Sequence, residues 1–140
     1  MHNRQAISFL MKLIADRVST LFLQRTDVPL TAAQTRVVMY LEACGGGPLS
    51  QRQIEHYLNV SHTTAKGLLQ RLEEKGYVRT AFDSSDKRVK NVYLTDKASA
   101  VRDDLLEHIK WLTDMMMQGI SREEETQLFE LLRRVYVNIK

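Results

Sequence analysis

A change of hydrophobic period in the middle of the chain constrains its fold more than any other feature. Ala65, Leu68, Leu69 and Leu72 recur at helical spacing, the stripe of a 3.6-residue period. Past Gly76 the spacing drops to two, in Tyr77–Phe82 and again in Asn91–Thr95, which predicts two strands. Between them lies the polar, turn-rich stretch Asp83–Lys90, so the two runs read as one β-hairpin with a charged tip. Helical spacing then returns in Val101, Leu105, Ile109, Leu112 and Met116.

Capping residues mark where the helices on either side begin and end. A first amphipathic segment, Ile7 to Leu23, carries Leu10, Ile14, Val18 and Leu21 and stops at Asp27-Val28-Pro29. Thr31 and Gln34 have the spacing of a capping box for a second helix, which ends in the run Cys44-Gly45-Gly46-Gly47-Pro48. Ser50 and Gln53 repeat the box for a short third helix, with Leu49 and Ile54 placed as a hydrophobic staple. Asn59 suits the left-handed turn between helices. Ser61 caps a fourth helix that runs to Lys75 and closes at Gly76. Thr95 is positioned to cap a long fifth helix ending near Gly119, and Ser121 with Glu124 opens the last, which carries Leu128, Leu131, Val135 and Ile139.

A chain of 140 residues holds one domain with a real core. No apolar run approaches the length of a membrane span. The start, Met1-His2-Asn3-Arg4, followed by Lys12, Asp16 and Arg17, lacks the pattern of a signal peptide. With a single cysteine, Cys44, these features predict a cytoplasmic protein. The net charge is only +3, but positive charge concentrates from Lys66 to Lys90, while acidic residues gather at Asp103-Asp104 and Glu123-Glu124-Glu125. That distribution suits a nucleic-acid-facing module carried on a scaffold.

A short helix, a tight turn, a second helix and an immediate hairpin together read as a winged helix-turn-helix. The expected fold class is mainly α with a small β-hairpin wing (α+β). In such modules the second helix enters the major groove by its N-terminal residues, here Ser61, His62, Thr63, Thr64, Lys66 and Gly67, with Gln70 and Arg71 further along. Gly67 lets the helix backbone approach DNA closely. At the hairpin tip, Asp86, Lys87, Arg88 and Lys90 reach outward. An arginine suits the negative potential of a narrow minor groove, and Asp86, which phosphate repels, serves by holding a guanidinium in position. Read singly, these residues are also what a capped helix and a solvated turn contain; their order in the chain carries the reading.

The same order resembles the MarR family of bacterial regulators. The matching residues are Leu30-Thr31 and Gln34, the run Leu72-Glu73-Glu74-Lys75-Gly76-Tyr77-Val78, and Asp86-Lys87-Arg88 followed by Tyr93-Leu94-Thr95. The resemblance spans essentially the whole chain. It departs at Lys66-Gly67, where the family usually has a Thr and then an Arg, and at Ile54-Glu55, where Leu-Ala is common. It implies a homodimer whose DNA-binding region is 31–95 and whose dimerisation region is 4–26 and 96–140, with Ile7, Leu10, Ile14, Leu128, Leu131, Val135 and Ile139 at the interface. It also implies a minor-groove role for Arg88, a small-molecule pocket between platform and winged region, and a repressor acting on a pseudopalindromic double-stranded operator.

Other functions find less support. The chain has no nucleophile elbow, no Gly-rich phosphate loop and no metal-binding motif, so neither an enzyme nor a cofactor is expected. His2, His56, His62 and His108 form no i, i+4 pair. Cys44 has no cationic cluster near it in sequence and reads as a buried or inert thiol. An organic effector is a further reading, with Trp111, Tyr40, Met39 and Met115-Met116-Met117 as candidate lining, although helix packing accounts better for most of these. The alternative is a winged module that binds protein or RNA without recognising an operator.

Overall fold

The amides that open a helix need acceptors outside it, and the side chains just upstream supply them. In the computed structural model, which describes residues 3–140 and so leaves Met1 and His2 outside the description, the elements are α1 (Asn3–Arg25), α2 (Ala32–Ala43), β1 (Leu49–Ser50), α3 (Gln51–Leu58), α4 (His62–Glu74), β2 (Val78–Phe82), β3 (Lys90–Leu94), α5 (Asp96–Met116) and α6 (Arg122–Ile139). All three expected capping boxes form. Thr31 Oγ1 accepts from the Gln34 amide at 3.2 Å, and Gln34 Oε1 accepts from the Thr31 amide at 3.1 Å. The pairs Ser50 with Gln53 and Ser121 with Glu124 do the same. Asn59 takes the left-handed conformation, φ 52° and ψ 51°.

The end of α4 is fixed just as locally. Gly76 has φ +82°. Its amide donates to the Glu73 carbonyl, and the Tyr77 amide donates back to Leu72, each at 2.9 Å. This is a Schellman motif, and the buried Leu72 and Tyr77 supply the apolar contact that accompanies it. The chain therefore leaves α4 reversed and enters β2 at once.

Sequence periodicity gave a two-stranded hairpin; the sheet has three strands, in the order β1-β3-β2, all antiparallel. Leu49 of β1 lies opposite Val92 of β3, and Thr80 of β2 lies on its other side. Two residues are too few to show a period, and Leu49 already had a role as the staple to Ile54. The triple glycine, which reads in sequence as a plain loop, lays β1 against the sheet. The Leu94 amide donates to the Gly46 carbonyl at 2.9 Å, and a Cβ on Gly47 (φ +105°) would stand 2.6 Å from the Val92 carbonyl oxygen.

The core joins α2, α3, α4, the sheet and α5 through Val37, Val38, Leu41, Ile54, Leu69, Leu72, Val78, Val92 and Leu105. α1 extends further at both ends than the segment from Ile7 to Leu23, yet its only buried residue is Phe22. There it is clamped to α5. The buried His108 donates from Nε2 to the Phe22 carbonyl at 3.0 Å, its ring meets Phe22 edge-on and stacks near Trp111, and the Arg25 guanidinium lies 4.0 Å from the centre of the Trp111 ring.

Two expectations need correction. Thr95 occupies the N-cap position of α5, but its side chain makes no capping bond; the hydroxyl donates instead to the Gly76 carbonyl at 2.5 Å, tying the start of α5 to the end of α4. Cys44 is exposed rather than buried, because it follows the last turn of α2 at the edge of the glycine loop.

The glycine loop separates two kinds of cost. Gly45→Ala meets open space and only the penalty of positive φ, about 1 kcal/mol. Gly47→Ala adds a clash with β3 backbone and is expected to lose roughly 3 kcal/mol. Urea denaturation of the two variants beside the parent checks this; equal losses would mean that the loop does not hold β1 in place.

Candidate nucleic-acid interface

The buried stripe of α4, Ala65, Leu69 and Leu72, fixes which residues face out. On a 3.6-residue period Thr63, Gly67 and Gln70 lie opposite that stripe, His62 and Lys66 lie on one flank, and Arg71 lies on the other. All of these are exposed except Gly67, which is half-buried. Ser61 and Thr64 are exposed but already engaged. Ser61 Oγ accepts the Thr64 amide at 3.1 Å and shares its own proton with Thr64 Oγ1 at 3.0 Å. Their hydroxyls serve the cap first, whereas Thr63 is exposed on the outward face.

The wing tip is built on two aspartates. Asp83 accepts from the Ser85 and Asp86 amides and from Asn91 Nδ2, at 2.9, 3.0 and 3.0 Å. The Asn91 amide, then the two backbone amides, hold its carboxyl below the usual carboxylate range. Asp86 accepts from Arg88 three times, from Nε at 3.0 Å, Nη2 at 3.1 Å and the backbone amide at 3.0 Å. This fork lowers the pKa of Asp86 and raises that of Arg88. The Arg88 side chain is still 89% exposed. It is thus aimed without being withdrawn from solvent.

Between α3, the start of α4 and the wing runs an open groove of about 790 Å³. Of the residues expected at a nucleic-acid surface, His62, Lys66, Asp86, Arg88 and Lys90 line it together. Lys87 is exposed at the wing tip, and Arg71 lies on the far flank of α4. Other lining residues were not singled out as site residues in the sequence, among them Arg52, Phe82 and Glu55. Arg52 adds a fourth cation from α3, Phe82 stands 69% exposed on the wing, and Glu55 bonds His62. Helical spacing places Arg52 on the exposed face of α3, but only the tertiary fold turns that face toward the wing. The cations Arg52, Lys66, Arg88 and Lys90 outnumber the carboxylates Glu55 and Asp86, and both carboxylates are already bonded, to His62 and Arg88. The groove presents net positive charge, as a phosphate backbone requires.

The aromatic side chains considered for an effector site do not come together. Tyr40 stacks face to face on Tyr57, with ring centres 3.8 Å apart, whereas Trp111 belongs to the clamp between α1 and α5. A separate cavity of about 220 Å³ lies where the α1–α2 loop meets α5, lined by Arg25, Asp104, Glu107 and His108 among others. Among the described residues no group of three or more His, Cys, Asp or Glu side chains is placed to hold a metal, and no helix is long and apolar enough to cross a membrane.

A family model described as MarR family matches residues 28–89, from the approach to α2 through the wing tip. The HTH-type transcriptional regulator YybA of Bacillus subtilis (strain 168), itself uncharacterized, is 28% identical over 115 residues, which cover 81% of this chain and 75% of that protein. Among solved structures, the S. aureus MepR–DNA complex superposes with a TM-score of 0.85 at 24% identity, covering 94% of this chain and 96% of the other. PcaV of Streptomyces coelicolor in complex with its natural ligand superposes with a TM-score of 0.84 at 23% identity, covering 94% and 92%. The two superpositions establish a shared fold.

The depressed carboxyls make the wing tip acid-sensitive. Groups whose folded pKa lies below the unfolded value contribute fully above the ordinary aspartate value of about 3.9, and lose that contribution as the pH falls through the folded one. The amide proton shifts of Ser85, Asp86 and Arg88 are therefore expected to titrate together below about pH 3.9, with those of β2 and β3 unmoved. Midpoints above that value would remove the bonds described here.

Proposed function

We propose that the chain, which matches the MarR family model over residues 28–89 and is similar to an HTH-type transcriptional regulator, is a DNA-binding regulator of that family, acting in the cytoplasm as a homodimeric repressor, bound to a pseudopalindromic operator and released by a small organic effector. It is a regulator and not an enzyme. The groove between α4 and the wing carries the reading of its surface, because it sets the outward face of a helix beside an aimed, exposed arginine. In this reading His62, Thr63, Lys66, Gly67 and Gln70 enter the major groove, Ser61, Thr64 and Arg71 flank them at the backbone, and Arg88 reaches the minor groove. Lys87, Lys90 and Arg52 neutralise phosphates, while Asp86 holds Arg88.

The outer helices support a homodimer. No residue of α6 is buried, and Leu128, Leu131 and Ile139 are exposed on it, as are Ile7, Leu10 and Ile14 on α1. Val135 is half-buried. Apolar surface of that extent on the two terminal helices calls for a partner. A two-fold partner also supplies a second recognition helix at a half-site spacing of roughly 34–36 Å. A dimer held across an operator blocks other proteins from it, which is the basis for repression. The effector reading rests on PcaV, which is seen with its natural ligand. This reading assigns the effector to the cavity of about 220 Å³ beside His108, at the joint between α1 and α5, whose Arg25, Asp104 and Glu107 suit a small polar molecule.

Two experiments test this. Selection from random duplex DNA with a salt titration is expected to enrich a pseudopalindrome, and Arg88→Ala to weaken binding to it by roughly 1–3 kcal/mol with a salt slope lower by about 1. Enrichment of single-stranded RNA, or of no nucleic acid, would turn the reading toward an RNA- or protein-binding module. Separately, Leu131→Glu is expected to convert the dimer to monomer in sedimentation velocity and to abolish operator binding. A variant that stays dimeric and binds normally would move the interface elsewhere.

A further inference from the structure

A carboxylate on a surface that reads phosphates needs a donor to hold it, and in the groove the partner of Glu55 is unusually placed. Glu55 on α3 is largely buried, its side chain 17% exposed, and its Oε1 lies 2.6 Å from Nδ1 of His62, the first residue of α4. The His62 side chain is 75% exposed, so the ring is anchored at one nitrogen while most of its surface stays open to the groove. A carboxylate can only accept, so a contact this short requires the proton on Nδ1. The Gln51 amide, 3.2 Å from the same nitrogen, does not oppose this. Its nitrogen and oxygen ends exchange by a half-turn, and with the oxygen inward it accepts the same proton.

In a neutral imidazole one nitrogen donates and the other accepts. With Nδ1 committed to Glu55, Nε2 is left as an acceptor. The major-groove donors are the N6 amino group of adenine and the N4 amino group of cytosine; guanine O6 and N7 and thymine O4 are acceptors and would face a lone pair. We infer that Glu55 is a specificity-determining positioning residue, which fixes the His62 tautomer and so makes α4 read an adenine or cytosine amino group. The inference rests on α4 being the major-groove helix. The other charged groups around the ring are Arg52 on α3, Lys66 on α4, and Asp86, Arg88 and Lys90 from the wing. Arg88 is bonded to Asp86, which leaves Glu55 with His62.

The tautomer is measured first, without DNA, from long-range 1H–15N correlations of the His62 ring in the full-length protein at pH 8. The Nδ1–H form is expected in the parent, and a mixture of both forms in Glu55→Gln, where the amide can donate as well as accept. Duplex selection then follows with the parent, Glu55→Gln and His62→Ala. The parent is expected to prefer adenine or cytosine at one position per half-site. Both variants should relax that same position by about fivefold, the size of one neutral hydrogen bond, and leave the others as they were. His62 is exposed in the first turn, so His62→Ala tests the position even if Glu55→Gln folds poorly. An Nε2–H ring in the parent, or an enriched operator whose preference survives both variants, overturns the inference alone. A parent that enriches no duplex overturns it together with the regulator reading.

Discussion

Val92 is the residue through which the helix-turn-helix and the wing are made into one surface. It is fully buried at the centre of β3, with Leu49 of β1 across from it on one side and Thr80 of β2 on the other. β1 runs directly into α3, and β2 leaves α4 through the Gly76 reversal. A slip of one residue in this register would turn every wing side chain to the other face. The position of Arg88 relative to His62 and Lys66 is therefore set by strand pairing. The glycine loop matters for the same reason, because only a residue without Cβ lets the chain pass close enough to the Val92 carbonyl for β1 to pair.

Electrostatics then decides what that surface can bind. Lone carboxylates beside phosphate would be repulsive, and long cations in solvent spend much of their time elsewhere. Both problems are met locally. Asp86 is bound by the arginine it orients, and Glu55 is bound by the imidazole it orients. The bonds themselves are exposed and add little to stability. Their effect is on geometry: a side chain that reaches the nucleic acid already aimed loses less freedom on binding.

What could be read in the sequence was whatever is decided within a few residues. The capping boxes, the left-handed Asn59, the Gly76 reversal and the charged tip all follow from chemistry that neighbours in the chain supply. What escaped depends on partners far along it. β1 needed β3, the Thr95 hydroxyl found the Gly76 carbonyl in place of its own helix, and His108 found the Phe22 carbonyl across the fold. In the candidate site, Lys66 and Arg88 announced themselves through charge at telling places. Arg52 and Glu55 did not, because their position on α3 gains meaning only when the wing closes the other side of the groove. The aromatic residues misled for a related reason: composition assembled Tyr40 and Trp111 into one pocket that the fold divides between two packing sites.

The clamp between α1 and α5 links the two halves of the proposed assembly. α1 has an uncovered apolar stripe in its first half and is anchored near its end by Phe22 and Arg25 against His108 and Trp111. α5 is anchored near that same point and, at its other end, to the end of α4 through the Thr95 hydroxyl, with Ala98 buried in the core. In the proposed dimer, a partner covering the stripe would act on α1 and α5, and α5 is tied at its start to the end of α4. The cavity beside His108 sits at the joint between α1 and α5. Because close-packed elements shift as units, a molecule wedged there would change the angle between α1 and α5, and with it the separation of the two recognition helices. Two-fold symmetry doubles any such change across the operator. An effector has only to distinguish the two separations energetically to release the protein from DNA.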